Sequence, residues 1–344
     1  MLLPISLLRE HNVVLTSSSL VFVIILALLF EFLNGMRDAS NIVATMIYSR
    51  AFHPRAALII TAVAEFVGPF LFGVVVAKTI GGGIVDSKLL TLNSIAACLL
   101  GAIIWNLITW FFGLPSSSSH ALIGGLIGAI IVSAGVSSLQ WSGLNKVVLG
   151  LILSPLLGFI VGFILLKFIY FLTQRATPAI NKFFKRGQII TAVGLGLGHG
   201  TNHAQKTMGV IVLSLAVGGV TDGIVVPFWV IVSTAAALAI GTSVGGWRLI
   251  RTLGGKFYKV RPVHSFAAQL TSAIVIVAAS LTGAPVSTTQ VVSSAIVGVG
   301  SSERLGKVRW GVTRDIALAW IVTIPVSALC SALIYFLIEA LQNV

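Results

Sequence analysis

The stretch Glu31–Tyr48 reads EFLNGMRDASNIVATMIY, and it directly continues the apolar run SLVFVIILALLF that precedes it. Glu31, Arg37 and Asp38 therefore fall inside a long span that is otherwise apolar. A charged side chain costs about 2.5 to 3.5 kcal/mol at the centre of a membrane helix, so this group needs a cavity lined by protein or water. We interpret the stretch as the centre of a transport site.

Gly35 lies in the same stretch and predicts a break in the helix. Unwound backbone is tolerated at membrane depth where it faces protein or water, and the N–H groups that begin the second half-helix then form an ion site. The alternative is a surface loop over residues 34–38 with solvated charges. A related polar stretch, LGHGTNHAQKTMG, occupies Leu197–Gly209, with a second break predicted near Gly200. The repetition favours a duplicated site over a loop.

The composition predicts an all-α polytopic membrane protein. Of the 344 residues, 57% are hydrophobic and 9% are charged, and the mean hydropathy is +1.05. Soluble domains carry about 25% charged residues, so a soluble globular protein is excluded. At about 20 residues per crossing, the chain has room for about 10–12 membrane segments. The net charge of +13 does not indicate nucleic-acid binding, because the basic residues lie in short loops between apolar spans.

The apolar blocks form two halves, and each half contains a proline followed by hydroxyl side chains. GLPSSSSHALIGGLIGA begins at Gly113, and GAPVSTTQVVSSAIVGV begins at Gly283, 170 residues later. Asp38 and His203 are 165 residues apart, so the halves keep their register. The predicted units are a first repeat with its following helix at 1–173, a basic cytoplasmic linker at 174–187, and a second repeat with a C-terminal helix at 188–344.

Loop charges predict that the two halves are inverted in the membrane. Lys and Arg favour the cytoplasmic side of a membrane. If successive spans cross in alternate directions, 15 of the 22 basic residues can be placed on that side, and both termini are then outside. Inverted repeats are the architecture of secondary transporters. The sequence has no GxxxxGK[ST] motif for ATP, so an ion gradient or passive flow must drive transport. Residues 92–135 fit either two full crossings or a re-entrant hairpin.

The two proline-hydroxyl stretches predict a cradle for a tetrahedral oxyanion. Proline is favoured in the first turn of a helix, and hydroxyls just after it lie beside unpaired N–H groups that bind anions. Ordinary helix capping explains either stretch alone, but an inverted pair favours a binding site. The predicted anion-binding side chains are Ser116, Ser117, Ser118, Ser119, Ser287, Thr288, Thr289 and Asn202.

Carboxylates in the first half predict a cation or proton site. Asp38 and Asn41 are three residues apart and share a helix face, and their oxygen atoms suit sodium or a proton held by the carboxylate. Glu65, in the next span, either joins them or pairs with a basic residue to hold the helices together. Neither a metal site nor a cofactor is predicted.

The second half places different chemistry at the matching positions. His199, Asn202, His203, Gln205 and Lys206 stand where the first half has residues 34–41. His203 either exchanges a proton near neutral pH or is a neutral imidazole satisfied by a hydroxyl. The side chains predicted to support the site, two of them positive and so favouring an anion as cargo, are Arg37, Lys206, Gln205, His120 and Gln290.

GMRDASN, GTNHAQKTMG, GLPSSSSHA and GAPVSTT together resemble the PiT family of inorganic phosphate transporters. The resemblance implies an inverted-repeat membrane fold, inorganic phosphate as cargo, symport with sodium or protons, and often a homodimer. By position, it assigns the coupling cation to Asp38 and Asn41, an essential acid to Glu65, and phosphate to residues 116–119 and 287–289.

Three departures from the family pattern bear on coupling. Arg37 stands where many members have Asn, His203 stands where Asp is the rule, and no acid in residues 224–246 answers Glu65. Histidine in place of a carboxylate removes a hard oxygen ligand and leaves a titratable nitrogen, which favours protons over sodium.

The resulting hypothesis is a multi-pass transporter of the cell membrane, not an enzyme, that imports inorganic phosphate by cation symport. The alternatives are a permease for sulfate or another oxyanion, and a passive anion channel. Hydrogen phosphate keeps an O–H donor that a nearby carboxylate can accept, whereas sulfate has none. Asp38 or Glu65 near the cradle therefore favours phosphate.

Overall fold

The computed structural model describes residues 5–83, 89–221 and 225–342. These residues fold into α-helices joined by short turns, so the all-α prediction is confirmed. The α-helices of the described residues are α1 (Ile5–Tyr48), α2 (Pro54–Leu71), α3 (Val75–Gly83), α4 (Leu92–Phe111), α5 (Ser118–Ala134), α6 (Trp141–Leu172), α7 (Ile180–Val217), α8 (Phe228–Val244), α9 (Trp247–Arg251), α10 (Pro262–Leu281), α11 (Thr288–Glu303) and α12 (Trp310–Gln342).

Six of the described helices are long and apolar enough to cross a membrane: α1 from Ser18 onward, α2, α4, α6, α10 and α12. A seventh crossing is available if α8 and residues 247–256, bent by 62°, form one span. Large apolar side chains face outward on these helices; Phe171 and Ile321 are 68% and 71% exposed. Such a surface suits lipid. The total of 10–12 segments and the sidedness of the termini stay predictions, and residues 1–4 and 343–344 lie outside the described residues.

The helices that carry the polar centre are continuous, so the predicted breaks near Gly35 and Gly200 are wrong. α1 runs through Gly35 and α7 through Gly200 without interruption. Both glycines lie at close helix crossings instead. A Cβ on Gly35 would overlap the Leu238 carbonyl oxygen of α8, and one on Gly200 would overlap the Glu65 carbonyl oxygen of α2. Small residues let two backbones approach, and here that need explains the glycines.

Each of these crossings uses a second glycine. Gly241 of α8 faces the Phe32 carbonyl group, and Gly68 of α2 faces the Leu197 carbonyl group. The second helix of each half therefore packs on the first helix of the other half. This exchange joins the two halves along their polar helices.

The chain does break in front of α5 and α11, at the hydroxyl-rich stretches. Residues 112–117 join α4 to α5, and residues 282–287 join α10 to α11. Gly113 and Gly283 have φ values of 66° and 72°, a conformation that favours glycine. The same turn therefore occurs twice, and it brings two helix N-termini into the centre of the molecule.

Candidate functional site

The two hydroxyl-rich turns meet each other. Ser117 is the N-cap of α5 and accepts a hydrogen bond from the His120 amide at 3.2 Å; Ser287 is the N-cap of α11 and accepts one from the Gln290 amide at 3.3 Å. Ser287 Oγ also donates to Ser117 Oγ at 2.8 Å. Because N-cap side chains mark the positive ends of helices, both ends point into one small region.

Asp38 and His203 lie beside these turns, and each is hydrogen-bonded to a hydroxyl of its own half. The Ser118 hydroxyl donates to Asp38 Oδ2 at 3.2 Å, and the Thr288 hydroxyl lies 2.6 Å from His203 Nε2. Asp38 Oδ2 and His203 Nε2 are 3.6 Å apart, and both side chains are at most 2% exposed. The predicted cation residues and the predicted oxyanion hydroxyls therefore share one buried site.

Two further contacts cross between the halves. Asn41 donates to the Thr289 hydroxyl at 3.2 Å, and Lys206 Nζ donates to the Ser119 hydroxyl at 2.7 Å. Lys206 also donates to the Val286 carbonyl oxygen at 2.8 Å. Asn41 and Lys206 are 165 residues apart, and Ser119 and Thr289 are 170 apart. The two contacts therefore occupy equivalent places in the two halves. The donor is the Asn41 amide in the first half and the Lys206 ammonium group in the second half.

Glu65 reaches the site through His199. Glu65 Oε1 lies 2.7 Å from His199 Nδ1, and the Thr242 hydroxyl donates to the other carboxylate oxygen. Leu238 occupies the position in α8 that Glu65 has in α2, because each faces a glycine of the crossing helix. The place in α8 that answers Glu65 is therefore taken by an apolar side chain.

Glu31 lies on α1, the helix that also carries Asp38, and its carboxylate is hydrogen-bonded inside the protein. Its Oε2 atom accepts hydrogen bonds from the Thr207 hydroxyl at 2.5 Å and from the Asn34 amide at 3.3 Å. Glu31 is fully buried. Intramembrane carboxylates of this kind need such partners, so Glu31 ties α1 to α7 beside the site.

Arg37 supports one of the turns. It is fully buried and donates from Nη2 to the Ser116 hydroxyl at 2.9 Å and to the Ser116 carbonyl oxygen at 3.3 Å. Its Nε and Nη1 atoms have no hydrogen-bond partner among the described residues. Arg37 therefore fixes the turn before α5 and retains donors for an anion.

Four predicted residues lie at the edge of the cluster. The Asn202 amide donates to Ser280 of α10 at 3.4 Å, and Gln205 accepts from the Val76 amide of α3 at 2.7 Å. His120 and Gln290 line a separate, mostly apolar cavity of about 450 Å³ beside Trp320. Among the described residues, none of these four side chains is hydrogen-bonded to the central hydroxyls.

His199 is a site residue that the sequence analysis named in the polar stretch of the second half but to which it assigned no role. It lies four residues before His203 on α7, and the two rings stack with their centroids 4.4 Å apart. Asp38, His199 and His203 each offer a ligand atom, and these atoms lie within 4.8 Å of one another. The spacing of the two histidines could have identified His199, because residues four positions apart share a helix face and His203 was already a predicted site residue.

The family model for the phosphate transporter family matches residues 34–331, which include both turns, α7 and the part of α1 from Asn34 onward. The chain belongs to the phosphate transporter family. The resemblance seen in the sequence is therefore confirmed, and so is the prediction that the chain is a transporter and not an enzyme. Membership also agrees with a multi-pass membrane protein, as the apolar helices indicate.

Named relatives within the phosphate transporter family cover almost the whole chain. A protein of Rhizobium meliloti (strain 1021) named "Probable low-affinity inorganic phosphate transporter" is 45% identical over 319 residues, which are 92% of this chain and 96% of that protein. A Bacillus subtilis (strain 168) protein of the same name is 44% identical, with 93% and 97% covered. A solved structure named "The sodium-dependent phosphate transporter" has a TM-score of 0.86 at 24% identity, covering 94% of this chain and 99% of that chain. This last likeness supports the fold.

Proposed function

We propose that the chain imports inorganic phosphate across the cell membrane by cation symport, with alternating access around the buried site. The observation that carries this proposal is the meeting of two helix N-termini through Ser117 and Ser287, with Lys206 against the same turns. Helix N-termini, hydroxyls and a cation bind phosphate. The relatives are named for inorganic phosphate. The deciding experiment is radiolabelled phosphate uptake into liposomes, with the pH and sodium gradients varied separately.

Inverted repeats are part of the proposal, and the paired contacts support them. Residues equivalent under the offsets of 165 and 170 make equivalent hydrogen bonds, and Ser117 bonds to its own counterpart Ser287. A residue that pairs with its counterpart lies on an axis relating two halves. Alternating access would then come from parting the halves at these few contacts. A homodimer, and both termini outside, also stay predictions.

We propose protons as the coupling ion in preference to sodium. Sodium prefers oxygen ligands; in the first half Asp38 and Asn41 offer them, whereas in the second half the matching residues are His203 and Lys206. A histidine instead offers a nitrogen that can hold a proton, in place of a hard oxygen ligand. The oxygen ligands are therefore kept in the first half and replaced by nitrogen-bearing side chains in the second half.

Removing sodium at fixed pH is expected to change phosphate uptake by less than about twofold, because a proton needs no oxygen cage. The measurement is initial uptake into proteoliposomes in which choline replaces sodium. In His203→Asp, which restores a carboxylate beside Asp38, we expect sodium to stimulate uptake. Strict sodium dependence of the unchanged protein contradicts proton coupling, and an H203D variant indifferent to sodium contradicts the ligand argument.

Unlabelled phosphate is expected to compete for uptake, and sulfate at the same concentration is not. Asp38 lies among the hydroxyls at 3.2 Å from Ser118, and a carboxylate accepts the O–H of hydrogen phosphate but repels sulfate, which has no donor. The measurement is the labelled-phosphate rate against each competitor. Competition by sulfate equal to that by phosphate would favour the alternative of a general oxyanion permease. Uphill uptake driven by a pH step would exclude a passive channel.

A further inference from the structure

Asp38, His199 and His203 have the ligand types and the spacing of a transition-metal site. The two histidines lie four residues apart on α7, an arrangement that places two imidazoles on one face. Their rings are nearly parallel, at 21°. Asp38 adds a carboxylate from α1, and the side chains of all three residues are at most 2% exposed. The cluster thus offers two nitrogen ligands and one oxygen ligand from two helices.

The distances fit a four-coordinate ion. Zinc binds nitrogen and oxygen at about 2.0 to 2.2 Å, so two ligands of a tetrahedral ion lie about 3.3 to 3.5 Å apart. Asp38 Oδ2 and His203 Nε2 are already 3.6 Å apart. The three ligand atoms lie within 4.8 Å of one another, so His199 would need to move by about 1 Å to complete the set. Side-chain rotation can supply that movement.

Glu65 lies beside His199, as a carboxylate lies behind the histidine ligand in many metal sites. Glu65 Oε1 and His199 Nδ1 are 2.7 Å apart without the geometry of a hydrogen bond, and a bond formed on rotation of the ring would leave the Nε2 lone pair for a ligand. His199 Nε2 has no hydrogen-bond partner among the described residues, although the side chain is fully buried. A buried nitrogen without a partner is costly, and a metal ion would satisfy it.

The charges nearby also permit a dication. Asp38 and Glu65 bring two carboxylates to the cluster. Lys206 and Arg37 are buried close to the same cluster and donate to Ser119 and Ser116 of the turns. The two carboxylates would therefore share their negative charge between these cations and the ion.

We propose that Asp38, His199 and His203 bind one divalent transition-metal ion of the zinc type. The inference rests on the proposed function for the role of these residues as a cation site, and zinc would compete with the coupling proton for Asp38 and His203. Imidazole suits zinc, whereas sodium and calcium prefer oxygen. Three protein ligands leave the fourth position open to water or to an oxygen of the transported anion.

Titration of the purified, tag-free full-length protein with Zn²⁺ in a calorimeter tests the site without any transport. We expect one ion per chain, and visible absorption bands of four-coordinate Co²⁺ when cobalt replaces zinc. His199→Gln and His203→Gln are each expected to lower zinc affinity by at least about 10-fold. The matched control is His264→Gln, because His264 is also buried and lies 2.8 Å from a carboxylate, Glu303. This variant is expected to keep the affinity.

Failure of the unchanged protein to bind zinc overturns the proposal, as does equal zinc affinity in the His199 and His203 variants. If those variants do not fold, X-ray absorption of the zinc-loaded unchanged protein decides: two imidazole nitrogens support the site, and a shell of oxygen alone overturns it. Phosphate uptake is measured on the same preparations. Uptake without zinc binding overturns this inference alone, and zinc binding without uptake overturns the proposed function alone.

Discussion

Asp38→Asn is expected to abolish concentrative uptake of phosphate. The substitution keeps the shape of the side chain and an oxygen for the Ser118 hydroxyl, but it removes the negative charge that faces His203 across 3.6 Å. An interaction with a charged partner contributes about 1.5 to 3 kcal/mol, and about 1.4 kcal/mol is a factor of ten. Initial uptake into proteoliposomes should therefore fall by about 10- to 100-fold, with no accumulation against a gradient.

The matched control is Asp315→Asn, which removes a carboxylate from the surface of α12. The Asp315 side chain is 61% exposed, and its contact with Arg314 is 3.8 Å long. Exposed pairs contribute little, so uptake should be unchanged. An Asp38→Asn protein that is folded and still accumulates phosphate would show that the carboxylate at the centre does not couple the cation to transport.

Gly200→Ala is expected to destabilise the folded protein. A Cβ at this position would overlap the main-chain carbonyl group of Glu65, and main-chain atoms cannot rotate away. Overpacking costs about 1 to 3 kcal/mol or more, so the midpoint of thermal unfolding of the detergent-purified protein should fall by several degrees and the folded yield should drop. Gly35→Ala, at the equivalent crossing against Leu238, should behave in the same way.

Gly194→Ala is the control on the same helix. The nearest atom to a Cβ at Gly194 would be the Ala273 Cβ at 3.9 Å, an ordinary contact. Alanine is favoured over glycine in a helix by about 0.8 to 1.0 kcal/mol, so this variant should be as stable as the unchanged protein or more so. A Gly200→Ala protein with unchanged stability would mean that α7 and α2 do not cross this closely.

The positions of the apolar helices followed from the sequence, because hydropathy acts locally along the chain. The apolar region predicted at 92–135 contains α4 at Leu92–Phe111 and α5 at Ser118–Ala134. The linker predicted at 174–187 is helical from Ile180. Boundaries shifted where polar residues extend a helix beyond its apolar part.

The hydroxyl-rich turns were also predictable, because the proline and hydroxyl residues that form each turn are adjacent in the sequence. Pro115 and Pro285 with the hydroxyls after them indicated two helix starts, and Ser117 and Ser287 are the N-caps. That these caps bond to each other could not be read from either stretch. The contact joins residues 170 positions apart, and no local pattern encodes such a distance.

The sequence by itself determined the class of the protein, the two matching halves and most of the buried polar residues, because composition, periodicity and cap chemistry are local properties. Only the tertiary structure decided that Gly35 and Gly200 lie at crossings rather than breaks, and that His199 joins Asp38 and His203. The physical reason is that a glycine permits both an unwound backbone and a close contact. The helix that packs against it decides between them.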